Sequence, residues 1–286
     1  MQKKAAGVTQ EATGTSATLS ETAASPPSHP ASPCGAATSS PSRYELLSTL
    51  GKGGMGVVYL ARDQQLDEEV ALKVLRPDVL NEDPTILDRF KKETKLARRI
   101  THRNVLRTHD FGETGGTAYI SMEYLEGVTL KDLIASKGAL PIGVGLRIAK
   151  QMCQGLEAAH AQGVVHRDIK PQNMLILPET GDLKIMDFGI ARVSEMKAGT
   201  AAGASGLTTA GTVMGTPDYI PPEQAQGSPA DFRSDIYSLA VVLYEVFTGR
   251  LPFTAETMMK VVLAHIRNPR RLRARSTTTS RRSWKR

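Results

Sequence analysis

The sequence predicts an α+β protein of two lobes, and three observations support this fold class. Between Tyr44 and Leu125, short stretches rich in β-branched and apolar residues predict strands with one helix among them. After Gly127, apolar residues recur mostly with the 3.6-residue period of helices. The 286 residues are 40% hydrophobic, which is enough to bury a sizeable core. We therefore expect a small lobe of five antiparallel strands and one helix, followed by a larger, mostly helical lobe.

The small lobe is built from short segments separated by turn residues. Strands are predicted at 44–50, 56–63, 68–75, 104–112 and 117–125. The helix is predicted over 83–100, with Asp83 as its N-cap and Pro84 at its first position.

The large lobe is predicted to contain three longer helices. They are expected at 142–163, 234–249 and 255–268, where Gly163 and Gly249 mark helix ends. Residues 197–215 are small and polar, which predicts a mobile loop.

The two ends of the chain differ from this pattern. Residues 1–42 are mainly Ala, Ser, Thr and Pro, a composition that predicts a disordered leader. From Arg267 to Arg286 the chain has nine of its 36 Lys and Arg and no acidic residue, whereas the other 27 stand against 29 Asp and Glu. We expect this basic tail, 269–286, to be solvated rather than to bind nucleic acid or an anionic membrane.

The predicted location is the cytoplasm. No stretch approaches the roughly 20 consecutive apolar residues of a membrane helix, and the N-terminus has no secretory signal. Cys34 and Cys153 have neither disulfide nor metal-ligand spacing, which favours a reducing compartment.

A glycine-rich stretch, LGKGGMGVVYL, joins the first two predicted strands. Gly51, Gly53 and Gly56 allow the backbone to approach a ligand closely and to direct N–H groups at phosphate oxygens. A tight hairpin turn explains the glycines equally well. The stretch is not a Walker P-loop, because a strand follows and no Gly-Lys-Ser/Thr is present.

The segments VVHRDIKPQNMLI and LKIMDFGIAR carry most of the polar chemistry of the large lobe. Asp168, Lys170 and Asn173 lie close together in the first, and Asp187 follows Asp168 by nineteen residues. Asn173 and Asp187 offer the hard oxygen ligands that Mg²⁺ takes together with phosphate oxygens. Asp168 can orient a hydroxyl group, while Lys170 can offset charge on a transferring phosphoryl group.

In this order, the motifs resemble those of protein kinases, specifically the bacterial serine/threonine kinases of eukaryotic type. The resemblance runs from Tyr44 to about Asn268. It implies a protein kinase-like fold with a small lobe at 44–122, a hinge at 123–127 and a large lobe at 128–268. It also implies transfer of the γ-phosphoryl group of ATP to Ser/Thr hydroxyls of protein substrates, with Mg²⁺ or, alternatively, Mn²⁺.

The resemblance assigns roles to individual residues. Asp168 becomes the catalytic base, Lys170 the mark of serine/threonine specificity, and Asn173 and Asp187 the metal ligands. Lys73, paired with Glu93, would hold the α- and β-phosphates. The backbone of Glu123 and Leu125 would bind the adenine edge, with Met122 behind it. The full ATP-binding set comprises Leu50, Gly51, Gly53, Gly56, Val58, Ala71, Lys73, Glu93, Met122, Glu123 and Leu125.

An activation loop is also implied. Arg167 before Asp168 is typical of kinases that are switched by phosphorylation of this loop. Thr208, Thr209 and Thr212 are the candidate acceptors, although each is also explained as a small loop residue. Thr216 would bond Asp168 and Lys170 instead. Self-association for autophosphorylation is left open.

Two features complicate the resemblance. A second Asp-Phe-Gly, Asp110–Gly112, precedes the hinge, and we expect Asp110 to be a turn residue without a metal. After 268 the chain lacks the two further apolar helical segments of the family, which predicts a truncated large lobe and leaves Glu223 without its usual arginine partner. The alternative function is therefore a catalytically weak, kinase-like protein that binds nucleotide or acts as a scaffold.

Overall fold

The structure, a computed structural model, describes residues 43–53, 56–76, 85–114, 116–188 and 217–267. All of them belong to one compact unit, Ser39–Arg286. Within these ranges the predicted α+β class is confirmed: an antiparallel five-stranded sheet with one helix precedes a mostly helical lobe. The predicted leader, the basic tail and any helices beyond 267 lie outside the described residues.

The small lobe is a sheet with the strand order β1-β2-β3-β5-β4. Its strands are β1 (Tyr44–Lys52), β2 (Gly56–Asp63), β3 (Glu68–Leu75), β4 (Thr108–Thr114) and β5 (Thr117–Glu123). The helix α1 (Thr85–Ala97) buries Phe90 against Ile120 of β5. This contact holds α1 on the face of the sheet, because an aromatic side chain contributes a large buried apolar area.

Several predicted bounds of the small lobe were wrong, and the first and fifth strands end at Lys52 and Glu123 rather than at 50 and 125. The strand expected at 104–112 spans Thr108–Thr114, because residues before it contact the large lobe instead. Val105 bridges Ile185, and the N–H of Leu106 donates to the Ile185 carbonyl at 2.9 Å. The helix ends at Ala97 rather than at 100, and its predicted cap lies outside the described residues.

We expected Asp110 to be a turn residue. It lies instead within β4. The pairing of β4 with β5 shifts register between Thr108 and Asp110, which marks a β-bulge. The Asp110 carboxylate accepts hydrogen bonds from Arg98 at 3.0 Å and from the N–H of Phe111 at 2.9 Å. The second Asp-Phe-Gly is therefore part of an edge strand of the small lobe.

The large lobe contains five helices and a second, three-stranded sheet among the described residues. The helices are α2 (Leu130–Lys137), α3 (Ile142–Ala161), α4 (Pro222–Ala225), α5 (Phe232–Thr248) and α6 (Met258–Arg267). The strands, in the order β6-β7-β8, are β6 (Val128–Thr129), β7 (Met174–Ile176) and β8 (Leu183–Ile185). None of the helices in the described ranges is long and apolar enough to cross a membrane.

Three of these helices correspond to the predicted ones, with bounds that differ by a few residues. Helix α5 begins earlier than expected because Asp231 caps it, accepting a hydrogen bond from the N–H of Arg233 at 2.8 Å. It ends at Thr248 and is capped by Gly249, whose φ of 68° is left-handed. Helices α2 and α4 and the second sheet were not predicted, since elements of two to eight residues give little periodic signal.

Gly155 allows α3 to approach β8 and the segment before β4. A Cβ atom at this position would lie 2.8 Å from Cδ1 of Ile185 and 2.9 Å from the backbone oxygen of Asn104. Both neighbours are buried, and a backbone oxygen cannot move aside as the end of a side chain can. Gly155 therefore sets the distance between α3 and the strand that leads to Asp187.

We predict that Gly155→Ala lowers the free energy of unfolding by about 1 to 3 kcal/mol through overpacking. Gly143→Ala in the same helix is the matched control, because no atom lies within 4 Å of its Cβ position. Alanine at 143 should be neutral or slightly stabilising because it favours helix more than glycine does. Urea unfolding measures both variants, and a Gly155→Ala variant as stable as Gly143→Ala would contradict the packing argument.

Candidate active site

A buried carboxylate fixes the backbone of the segment that contains Asp168. Asp235, in the first turn of α5, is only 1% exposed. Its Oδ2 accepts a hydrogen bond from the N–H of His166 at 2.9 Å, and its Oδ1 accepts one from the N–H of Arg167 at 2.8 Å. Nε2 of His160 lies 2.7 Å from Oδ2. These bonds join α3, α5 and the catalytic segment, by which we mean residues 166–173.

The catalytic segment is also joined to the backbone before Asp187. Nε2 of His166 donates to the Met186 carbonyl at 2.8 Å, while Nδ1 accepts from the N–H of Asp168 at 3.2 Å. The His166 ring packs against Phe188, with 4.6 Å between ring centroids. Through these contacts, one buried histidine positions Asp168 and Asp187 relative to each other.

Two residues beside this histidine have left-handed backbone conformations. Arg167 has φ of 69° and Asp187 has φ of 62°. For residues with a Cβ atom such conformations cost about 1 to 3 kcal/mol each and persist only where surrounding contacts enforce them. The hydrogen bonds to Asp235 and to Met186 provide such contacts. The left-handed backbone of Arg167 and Asp187 is therefore kept at a cost in folding free energy.

Asp168, Lys170 and Asn173 form a hydrogen-bonded cluster within the catalytic segment. Nζ of Lys170 lies 2.7 Å from Oδ2 of Asp168. Nδ2 of Asn173 donates to the Asp168 carbonyl at 2.8 Å and to Oδ2 at 3.1 Å. The Asp168 side chain remains 40% exposed, so a substrate hydroxyl can reach it. The structure thus brings together the three residues that we predicted to be catalytic.

Lys73 of β3 extends across to Asp187. Its Nζ lies 2.8 Å from Oδ1 of Asp187, and the two side chains are 12% and 35% exposed. Glu93, the partner that the resemblance implies for Lys73, is buried in α1 and makes contacts of its own. The structure therefore pairs Lys73 with Asp187, and a pairing with Glu93 stays a prediction.

The charge state of Asp187 follows from its surroundings. Burial acts to raise the pKa of its carboxyl, but the charge of Lys73 and its hydrogen bond outweigh burial and lower the pKa below the ordinary value. Asp187 is consequently a carboxylate at neutral pH. The cleft therefore contains an anionic oxygen near Lys73 and Lys170.

The donor atoms fit a magnesium ion that takes most of its ligands from elsewhere. Asn173 uses its Nδ2 for Asp168, which leaves the amide oxygen as its acceptor. Within the described residues, no group of three or more His, Cys, Asp or Glu could hold a metal ion by itself. Mg²⁺ is usually held by one or two protein oxygens together with phosphates and water, so Asn173 and Asp187 fit this ion.

Most of the predicted ATP-binding residues lie on one end of the small sheet and on the adjoining chain. Gly51 and Gly53 are exposed at the β1–β2 turn, and the N–H of Gly53 donates to the Gly56 carbonyl at 2.9 Å. A Cβ atom on Gly56 would lie 2.1 Å from the Val74 carbonyl oxygen, so only glycine fits there. The predicted hairpin is therefore present, and its phosphate-binding role stays a prediction.

The predicted adenine-contacting side chains stand beside this hairpin. In the sheet register, Val58 pairs with Lys73 and Ala71 with Met122. Leu50, near the end of β1, is 44% exposed. Met122 of β5 lines a small cleft together with Asp187 and Phe188. Its place at the back of a nucleotide pocket stays a prediction.

The chain after β5 connects the lobes. The N–H of Glu123 donates to the Arg107 carbonyl at 2.9 Å. The N–H of Leu125 has no backbone hydrogen-bond partner among the residues that the structure describes. An N–H without a backbone partner can donate to the edge of a purine ring, and the adenine-binding roles of Glu123 and Leu125 stay predictions.

Several predictions fall outside the described residues: Thr208, Thr209, Thr212, Thr216 and the mobile loop at 197–215. Glu223, by contrast, is described and was expected to lack its usual arginine partner. Its carboxylate accepts a hydrogen bond from Oγ of Ser234 at the start of α5, so a serine hydroxyl serves as a replacement partner.

Asp235 and His160 were not predicted from the sequence. Asp235 lies beside a long apolar run in the sequence SDIYSLAVV, and a carboxylate in a buried helix is rare unless it is paired. That mismatch between charge and surroundings is the signal that could have identified it.

Comparisons with known proteins agree with this geometry. The profile of the protein kinase domain family matches residues 44–286. A probable serine/threonine-protein kinase of Clostridium perfringens is 43% identical over 78% of the chain. Serine/threonine-protein kinases PknB of Mycobacterium leprae and PrkC of Bacillus subtilis are each 42% identical, over 79% and 78% of the chain. The matches cover 31%, 35% and 33% of these relatives, so the chain spans about a third of their length.

Solved structures give the same result. The crystal structure of the Mycobacterium tuberculosis PknI kinase domain matches with a TM-score of 0.59 and 30% identity. The match covers 75% of this chain and 78% of the other. With the family profile, the relatives and the arrangement of the catalytic segment in agreement, the chain belongs to the protein kinase family.

Proposed function

We propose that the chain is a serine/threonine protein kinase domain that transfers the γ-phosphoryl group of ATP to hydroxyl groups of proteins. The proposal rests on one observation, which is that five polar side chains from both lobes converge. They are Lys73, Asp168, Lys170, Asn173 and Asp187. Each residue type matches a step of phosphoryl transfer, which needs positioned phosphates, a hydroxyl acceptor and neutralised charge.

Asp168 is the group proposed to orient and deprotonate the substrate hydroxyl. Its carboxylate is exposed on one side and held by Asn173 on the other. Lys170 beside it can neutralise charge that develops on the transferring phosphoryl group. The same lysine supports serine/threonine acceptors, since the resemblance that the sequence carries associates it with this specificity.

Lys73 and Asp187 are proposed to act on the nucleotide. Lys73 would bind the α- and β-phosphates, and the contact with Asp187 keeps its ammonium group in the cleft between the lobes. A divalent ion, Mg²⁺ or alternatively Mn²⁺, supplies positive charge between the phosphate oxygens when it is bound. Asp187 and Asn173 would hold that ion, and the lowered pKa of Asp187 supports this role because only the carboxylate is a good ligand.

The wider setting of the kinase is also a proposal. A cytoplasmic location fits a domain that uses ATP, and phosphorylation of Thr208, Thr209 or Thr212 would attract Arg167 by charge. Protein substrates are proposed from the same reaction, and autophosphorylation by self-association would supply the activating phosphate.

One prediction of this proposal concerns phosphoryl transfer itself. With labelled ATP and Mg²⁺, the wild-type chain should phosphorylate itself and a generic basic protein substrate, whereas Asp187→Asn should lower incorporation at least about 100-fold. The amide lacks the anionic oxygen that we assign to the metal. Folded wild-type protein that binds nucleotide but incorporates no phosphate would contradict the proposal and favour a nucleotide-binding scaffold.

Another prediction concerns the positioning of the catalytic segment by Asp235. Asp235→Asn replaces one acceptor oxygen by a donor that faces a backbone N–H, so kcat should fall about 100-fold. The KM for ATP should change little, because the predicted ATP-binding residues lie mainly on the small sheet. Steady-state kinetics on the purified variant provide both constants.

The control for Asp235→Asn is Asp231→Ala in the same helix. Loss of the N-cap should cost about 1 kcal/mol of stability while leaving kcat unchanged, because Asp231 bonds only the start of α5 among the described residues. Equal losses of kcat in both variants would mean that helix stability, rather than the bonds of Asp235, determines the rate.

A further inference from the structure

The carboxylate of Glu123 joins the segment between the lobes to the strand before Asp187. Its Oε1 accepts a hydrogen bond from the N–H of Arg107 at 2.7 Å, and the N–H of Glu123 donates back to the Arg107 carbonyl at 2.9 Å. The same Oε1 lies 2.9 Å from Nζ of Lys184 in β8. Glu123 therefore holds both a small-lobe neighbour and a large-lobe strand through one oxygen atom.

The ion pair of Glu123 and Lys184, which we call the hinge pair, is largely shielded from water. Its side chains are 23% and 16% exposed. Ion pairs on open surfaces contribute little, but removal of one member of a shielded pair leaves a charge without its partner. The hinge pair can thus transmit a positional change between its two strands.

Lys184 lies three residues before Asp187 on a strand that is tied to the small lobe at another point. The N–H of Ile185 donates to the Asn104 carbonyl, and the N–H of Leu106 donates to the Ile185 carbonyl, each at 2.9 Å. Residues 104–107 and Glu123 together form one hydrogen-bonded connection to β8. Movement of the hinge relative to β8 therefore moves Asp187 relative to the backbone of Glu123.

We propose that Glu123 and Lys184 are positioning residues that set the separation between the adenine-binding backbone and the metal-binding Asp187. The inference rests on the proposed function, because it assumes that a nucleotide contacts both ends. A nucleotide that spans them binds best when the separation is already correct, since no reorganisation is then required. Loss of either member of the pair weakens nucleotide binding, although neither side chain touches the nucleotide in this account.

An alternative explanation makes the opposite prediction for one variant. If Lys184 attracted the phosphates directly by its charge, removal of Lys184 would weaken binding and removal of the negative charge of Glu123 would strengthen it. In the positioning account both changes weaken binding, and the double variant loses no more than the weaker-binding single variant. The sign of the Glu123 effect therefore separates the two explanations.

A second ion pair offers a matched control. Arg103 contacts the Asp182 carboxylate oxygens at 3.0 and 3.2 Å, which also joins the segment before β4 to the start of β8. This pair does not include a hinge residue, and the Arg103 side chain is 73% exposed. Arg103→Met should leave nucleotide affinity unchanged.

The experiment measures binding of ADP with Mg²⁺ by isothermal titration calorimetry, well below the unfolding temperature of each variant. Lys184→Met and Glu123→Gln should each raise the Kd about threefold to tenfold, and their double variant should do no more than the larger of these. The reciprocal exchange Glu123→Lys with Lys184→Glu should recover part of the affinity. If the pair were merely structural, its removal would lower the unfolding temperature and leave the Kd for ADP unchanged.

The outcomes distinguish the inference from the proposed function. Tighter binding by Glu123→Gln, or affinities equal to that of the wild type in both single variants, overturns the inference and leaves the kinase assignment intact. A folded wild-type chain that neither binds ADP with Mg²⁺ nor transfers phosphate overturns both.

Discussion

The hydrogen bonds of Asp235 are the constraint on which the rest of the site depends. A carboxylate that is 1% exposed costs several kcal/mol to bury, and two backbone N–H groups and His160 offset that cost. Because the N–H groups belong to His166 and Arg167, the carboxylate fixes the backbone directly before Asp168. The side chains to which we assign catalysis are therefore held by a buried part of the large lobe rather than by a free loop.

From Asp235, a series of contacts leads toward the small lobe. His166 bonds the carbonyl of Met186, and the left-handed backbone of Asp187 turns its carboxylate toward Lys73. The segment 104–107 then joins β8 to the end of β5. Each of these contacts joins residues that are far apart in sequence. Together they fix the residues of the two lobes relative to each other around the cleft.

The sequence predicted what local chemistry determines. Asp168, Lys170 and Asn173 lie within six residues and are bonded to one another, so their proximity follows from the chain itself. The five strands and α1 were also predicted, because period and β-branched composition are local properties. The order of the strands and the contact of Lys73 with Asp187 were not, since these two residues are 114 positions apart. The pattern of apolar residues along a strand does not show which distant charged residue will face Lys73.

Asp235 holds the backbone of the catalytic segment through its hydrogen bonds to His166 and Arg167, and amide hydrogen exchange tests this most directly. In the wild-type chain, the amides of His166 and Arg167 should exchange as slowly as those in the centre of α5. In Asp235→Asn these two amides should exchange at least about 100-fold faster while the centres of α3 and α5 stay protected. Unchanged protection at 166 and 167 would contradict the account, because the backbone would then be held by something other than this carboxylate.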